Sequence, residues 1–240
     1  MKYVYGFFYR NSLDLLRLAL NSIKPCWNHT VIIDNTPDLA LRGESFPQGV
    51  QILEPPVPLT FTQSMNYLIR VGEEREADAV IFMHNDVELH PGTIEAYLSA
   101  LENLVHSDKN WGVLLAHGFL LAAMRMEAVK KIGLWDTVWP DIFSDYDYCQ
   151  RIHIAGYDIV DTYLPLTHHN GGSNTIKKDP LLFSLTQVMG PLWLEIYKAK
   201  WGDMQVQEKY RIPYDPSSTT PPPTHWPDYY RDYKTYINEK

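Results

Sequence analysis

An apolar run, Ala79-Val80-Ile81-Phe82-Met83, ends abruptly in His84-Asn85-Asp86 before Val87 resumes it. Imidazole and carboxylate groups at the end of a buried strand are ligands for a divalent cation, and the amide between them is a hydrogen-bonding group. A second polar cluster, Asp34-Asn35, closes the run "TVII". Such residues ordinarily make turns and cap helices. For His84-Asn85-Asp86 that use is redundant, because the helix that follows already has Pro91 and Thr93 near its start. Farther on, "SDYDYCQRIHIAG" puts Asp145 and Asp147 in the first turn of a helix, where the dipole favours ionised carboxylates. The loop "HHNGGSN" then sets His168 and His169 beside a glycine pair; adjacent histidines point in different directions, so at most one serves as a ligand.

These clusters depend on the elements around them. "YVYGFFY" is a buried strand, rich in aromatic and β-branched residues. Asn11 is placed to cap the next helix, with Asp14 in its first turn and Leu13, Leu16, Leu20 and Ile23 at helical spacing. "TVIID" and "VQILEP" read as strands, "FTQSMNYLIRVGEE" as a helix and "ADAVIFM" as a strand. Behind Pro91, residues Ile94, Tyr97, Leu98, Leu101, Leu104 and Val105 mark one face of a further helix. That alternation predicts a parallel sheet covered on both faces. Ligands bind such sheets outside the carboxyl ends of the strands, where both polar clusters fall. "WGVLLAHGFLLAAMR" predicts one or two strands, "MEAVKKI" a short helix stopped by Gly133, and "YDIVDT" another strand. From about Asp215 the chain is poor in aliphatics and rich in Pro, Ser and Thr, yet its tyrosines and Trp226 need somewhere to pack. The expected organisation is one domain over residues 1–200 and a Pro/Tyr-rich extension over 201–240, packed on that domain or on a partner.

With 240 residues, 45% of them apolar and 21% charged, the chain can bury one large core and falls in the ordinary globular class. A net charge of -8 with no basic run speaks against bulk binding of nucleic acid. Cys26 and Cys149 match no disulfide framework or zinc spacing, which points to a reducing compartment. No apolar stretch approaches the ~18 residues of a membrane span, and "MKYVYGFFYR" lacks the apolar run of a signal peptide. A cytoplasmic protein is therefore expected. There is no P-loop, no GxGxxG after a strand and no Gly-x-Ser-x-Gly elbow, which disfavours NTPases, nicotinamide enzymes and α/β-hydrolases. What remains is a nucleotide-type fold that neutralises phosphates by another device, such as Mg²⁺ or Mn²⁺ held by carboxylate and imidazole.

Taken in order, these motifs resemble the family 2 glycosyltransferases of the GT-A fold, from about Tyr3 to Ser173. "VIIDNTPD" is similar to the strand-end acid motif that contacts the donor base, and "FMHNDVEL" looks like the Asp-x-Asp motif and its variants. "GLWDTVWPDIFSDYDYCQRIHIAGYDI" resembles the acceptor-side signature, and "THHNGGS" the histidine loop that completes the metal site. The resemblance implies an α/β GT-A fold, a mostly parallel sheet with helices on both faces. It also implies inverting transfer of a sugar from a nucleotide diphosphate donor, a UDP-sugar, to a hydroxyl acceptor with help from Mn²⁺ or Mg²⁺. Donor contacts are implied at Arg10, Asp34, Asn35, Asn66, His84 and Asn85, metal ligands at Asp86 and His168, and the catalytic base at Asp145. Asp147, Arg151, Trp135, Trp139 and His169 are implied as acceptor contacts or as support.

One departure stands out. His84 occupies the position of the usual first acid, leaving Asp86 as the sole carboxylate, which weakens hard-cation binding and favours Mn²⁺ over Mg²⁺ if the imidazole coordinates. A sugar nucleotidyltransferase is the enzymatic rival, but "YRNSLDLL" is not the Gly-rich basic loop it would carry. A non-catalytic nucleotide-sugar or glycan-binding module is the rival from another class, favoured by His84 and disfavoured by Asp145 and His168. The acceptor is open between polysaccharide, lipid-linked sugar, protein and modified nucleic acid, because acceptor loops vary most. A lipid-linked acceptor is the less expected of these, with no membrane helix or basic amphipathic stretch in view. A homo-oligomer is compatible with all of them.

Overall fold

The structure is a computed structural model that describes residues 1–172, 174–219 and 230–239. Ser173 and Trp226, named above, lie outside the described residues. The backbone builds β1 (Tyr3–Tyr9), β2 (Thr30–Asp34), β3 (Gln51–Leu53), β4 (Ala79–Met83), β5 (Val87–Leu89), β6 (Trp111–Ala116), β7 (Leu121–Arg125), β8 (Asp158–Asp161), β9 (Leu166–His168) and β10 (Arg231–Asp232). Eight of these form one sheet in the order β10-β8-β6-β7-β4-β1-β2-β3, and β5 pairs with β9 in a separate two-stranded sheet. In the large sheet only β7 runs antiparallel to its neighbours β4 and β6. The short β6–β7 connection allows this reversal, with His117 and Gly118 both at positive φ.

Helices α1 (Leu13–Ser22) and α3 (Thr93–Val105) bury their apolar stripes on one face of the sheet. Helices α2 (Phe61–Glu74), α4 (Met126–Ile132) and α5 (Ser144–Ile154) cover the other. This is the mostly parallel sheet with helices on both faces that the GT-A fold requires. Strands β1, β2 and β4 are buried almost throughout, as strands covered on both sides must be. Helix α2 starts where Thr60 and Gln63 close a reciprocal capping box. Helix α1 starts differently from the expectation: Ser12, at φ 67°, takes the cap position without a side-chain bond. Asn11 instead donates its amide to the Thr175 carbonyl, 3.1 Å away, because it is used to strap the far loop.

Two further helices, α6 (Asn174–Lys178) and α7 (Pro180–Trp201), follow β9. The second half of α7 is held by an aromatic cluster of Trp139, Trp193, Tyr197 and Trp201. The chain then returns, and β10 adds a parallel strand beside β8. Just beyond it, α8 (Tyr233–Tyr236) buries Tyr236, whose hydroxyl donates to Asp158 at 2.8 Å. The large sheet thus draws strands from both sides of residue 200. Among the described residues, no helix is long and apolar enough to cross a membrane.

Candidate metal and donor site

Strand β4 ends because the chain turns out of the large sheet there. The His84 N–H still donates to the Leu120 carbonyl, and the Val87 N–H donates to the His84 carbonyl, closing a tight turn. The chain then enters β5, whose Val87 lies opposite His168 of β9. This small sheet, rather than the edge of the large one, brings His168 to Asp86. Asp86 Oδ1 lies 3.3 Å from His168 Nε2 and 4.0 Å from His84 Nδ1. Ligand atoms of all three side chains fall within 4.8 Å of one another.

Two of those atoms, Asp86 Oδ1 and His168 Nε2, are buried and face each other at 3.3 Å, with no hydrogen bond to any other group. Buried polar atoms in native structures are ordinarily better satisfied than this. The other Asp86 oxygen accepts from the Asn174 backbone N–H at 3.3 Å and its side-chain amide at 2.8 Å, which fixes the carboxylate's direction. An oriented carboxylate and imidazole aimed at one point fit a divalent cation. Burial opposes ionisation of Asp86, but His168, the Asn174 hydrogen bonds and His84 outweigh it and hold the carboxyl below its ordinary range. The His84 side chain keeps 37% exposure, while Phe61, Phe82 and His168 pack around the rest of the ring. That burial pushes its pKa down to about 4, with Asp86 opposing and His168 assisting, so the imidazole is neutral and able to coordinate at pH 7.

The loop after β9 is built around the His168 ring. Gly172, at φ +78°, lies so close that an added Cβ would stand 2.3 Å from His168 Cε1. Lys177 ties the same loop down by donating to the Asn170 and Gly172 carbonyls at 3.2 and 2.6 Å, so its charge is engaged there. Gly172→Ala is therefore expected to displace the imidazole and weaken Mn²⁺ binding by roughly 10–100-fold, the range for lost outer support of a ligand. Isothermal titration calorimetry with Mn²⁺ would show it, and unchanged affinity would mean that His168 is not a ligand.

The cluster opens into a cavity of about 360 Å³. Arg10, Asn35, Asn85 and Asn174 join it at the polar end, Asp141 stands on the wall, and Phe8, Phe61, Phe82, Leu182 and Trp193 supply apolar surface. Helix α7 forms the roof. Arg10 pairs with Asp179 at 2.9 Å, and Asp179 also caps α7, so the end of β1 and the roof share one ion pair.

Eight of the anticipated residues do not line the cavity: Asp145, and seven that brace the structure around it. Asp34 is 1% exposed, and its oxygens accept from the Thr36 N–H, the Thr36 hydroxyl and the Leu41 N–H; the carboxylate braces its own loop. Asn66 clasps the Trp135 backbone with both ends of its amide. Asp147 is fully buried and receives Arg151, Lys200 and the Trp201 indole at 2.8–2.9 Å, a network joining α5 to α7. Arg151 also donates to the Ile132 and Leu134 carbonyls. Trp135 stacks on Tyr148 with ring centroids 4.5 Å apart, and Trp139 lies in the aromatic cluster, so neither indole is free to stack on a sugar. His169 turns away to Glu88, 3.0 Å from its carboxylate.

Asp145 differs from an ordinary helix-start carboxylate in its pKa. Burial raises it to about 6, the Tyr146 N–H opposing and Asp141 adding, so the helix start does not hold it at the usual carboxylate value. Asp141, which the sequence did not single out, is the carboxyl on the cavity wall, and burial raises its pKa as well. Asn174 and Trp193 were also missed. The capping pattern of Thr60 and Gln63 would have placed the start of α2 at the site, and Asn174 ends the histidine loop; Trp193 carries no local signal.

No protein-family model matches the chain, and no curated protein matches it. Solved structures do. The mannosyltransferase PcManGT from Pyrobaculum calidifontis, in complex with GDP-Man and Mn²⁺, is 15% identical over 65% of this chain and 53% of its own, with a TM-score of 0.49. TarS from S. aureus is 12% identical over 65% of this chain and 34% of its own, with a TM-score of 0.46. A cytidylyltransferase from Leptospira borgpetersenii is 10% identical over 55% of this chain and 63% of its own, with a TM-score of 0.38. The chain spans about half of the first and about a third of the second. These likenesses are of fold alone, in the α/β class already described.

Proposed function

We propose that the protein is an inverting, metal-assisted glycosyltransferase that moves a sugar from a nucleoside diphosphate donor, of which a UDP-sugar is the leading case, to a hydroxyl acceptor. The observation that carries this reading is the His84-Asp86-His168 cluster, whose buried Asp86 Oδ1 and His168 Nε2 have no partner but each other, opening into a cavity that the Asp141 carboxyl also lines. His84, Asp86 and His168 would hold Mn²⁺ or Mg²⁺. When bound, that ion neutralises diphosphate oxygens and so stabilises the leaving nucleoside diphosphate. Arg10 and Asn35 stand at the polar end, where the diphosphate would lie, and Asp34 shapes the loop beside them. Asp145 is the base: it takes the proton of the acceptor hydroxyl as that oxygen attacks the anomeric carbon and the bond to the diphosphate breaks. Asp141 orients the hydroxyl from the wall. A base with a pKa near 6 is well matched to neutral pH, at which it is free of its proton without being inert.

Thermal unfolding with UDP or GDP, each with and without Mn²⁺, tests the reading. A nucleotide at 100 times its Kd adds about 2.7 kcal/mol of stability, so the melting temperature should rise with Mn²⁺ present and fall back with chelator. No rise with either nucleoside diphosphate would overturn the proposal.

A further inference from the structure

We infer that the acceptor carries an apolar chain, which runs from the cavity onto the exposed side of α7. The inference rests on the glycosyltransferase reading above and extends it to the substrate class.

Much of the cavity wall is apolar, beginning beside His84 itself. Phe8, Phe61, Phe82, Leu59 and Leu182 form walls with little to offer a sugar hydroxyl or a phosphate. Leu185 lines the same cavity and is also 47% exposed, so the apolar wall reaches the outer surface there. From that point Leu181, Leu185, Val188 and Leu192 follow one another at spacings of four, three and four, which puts them on one face of the helix. Leu181 is 76% exposed and Val188 74%. A ridge from 181 to 192 is roughly 16 Å long at 1.5 Å per residue.

Among the described residues, no hydrophobic cluster takes in this ridge. The second half of α7 buries Trp193, Tyr197 and Trp201 in the aromatic cluster, which anchors the helix by its other end. No charged residue occurs from Pro180 to Leu194, although an exposed helix surface is ordinarily charged. A contiguous apolar surface on an otherwise polar exterior marks a binding site. Its continuity with the cavity through Leu185 selects the occupant: an amphiphile whose hydroxyl-bearing head meets Asp141 and whose chain lies along α7. A second copy of the chain would also cover the ridge, but would leave the apolar cavity walls unexplained.

The test uses the full chain with Mn²⁺ and UDP, and n-alkyl β-glucosides of two to eight carbons as probes, by calorimetry. Affinity should rise about fourfold per methylene, the equivalent of ~0.8 kcal/mol, first within the cavity and then, for the longer chains, along the ridge beyond its mouth. The double variant Leu181→Gln/Val188→Gln should flatten the rise for the longer chains while leaving UDP binding unchanged, since both residues lie on the outer ridge. Equal affinity for all chain lengths, with UDP bound normally, would overturn the apolar acceptor and leave the glycosyltransferase reading standing. Absence of binding by both UDP and GDP would instead strike that reading itself. A flat series together with dimers that the double variant dissociates, seen by sedimentation, would assign the ridge to a second copy and overturn the inference.

Discussion

Asp145→Asn is expected to lower turnover by about 10²–10⁴-fold while leaving the affinity for UDP and Mn²⁺ unchanged. The substitution keeps the shape and the Tyr146 hydrogen-bond geometry but removes the basic oxygen. The pH profile supplies a second, independent reading. Burial raises the Asp145 pKa to about 6, so wild-type turnover should climb as pH rises through about 6, where the carboxyl loses its proton, and then level off. The variant should lack that limb. Stability should move the opposite way. A carboxyl whose folded pKa exceeds its unfolded value binds its proton more tightly when folded, so its stabilising contribution is present in acid and lost as pH rises through the folded pKa. At pH 7 the wild type bears that cost and Asp145→Asn does not, so the variant should melt at a higher temperature. A less active and more stable protein is the signature of a buried catalytic group. Near wild-type turnover in Asp145→Asn, with Asp141→Asn as the inactive variant, would move the base to the cavity wall.

Asp86→Asn should nearly abolish Mn²⁺ binding, losing more than the roughly 10–100-fold that a disturbed outer support costs. The amide can occupy the same space near Asn174, so the fold should survive and circular dichroism should be unchanged. What it lacks is the sole negative charge in the cluster. Without it, two imidazoles remain, and these favour softer cations over Mn²⁺ or Mg²⁺. Retained Mn²⁺ affinity by calorimetry, or full activity in chelator, would remove the cation from the mechanism.

The sheet was legible because its strands are long apolar runs and its helices keep a clean stripe; "YVYGFFY", "TVIID" and "FTQSMNYLIRVGEE" coincide with β1, β2 and α2. The pairing of β5 with β9 was not, since three-residue strands show no measurable period. Yet that pairing brings His168 to Asp86. Residue types likewise announced Asp145 and Asp147 but not their difference. One is poised by burial, while the other is consumed by Lys200 and Trp201, which lie far along the chain. Local sequence reports a helix dipole; desolvation and distant partners appear only when the chain is folded. For the same reason Trp135 and Trp139 read equally well as sugar platforms and as core, and only their neighbours decide.

The outer edge of β8 is closed by Arg231–Asp232, from the last part of the described chain. Synthesis delivers the N-terminal elements first, so β1 to β8 can assemble while those residues are still to come. Until they arrive, β8 shows a row of unpaired N–H and C=O groups, a template for any passing strand. Tyr236, whose hydroxyl closes on Asp158, then fastens the edge. Until residues 231–236 are added the edge of β8 stays open to mispairing, and the turn of helix that buries Tyr236 is the clasp that ends that interval.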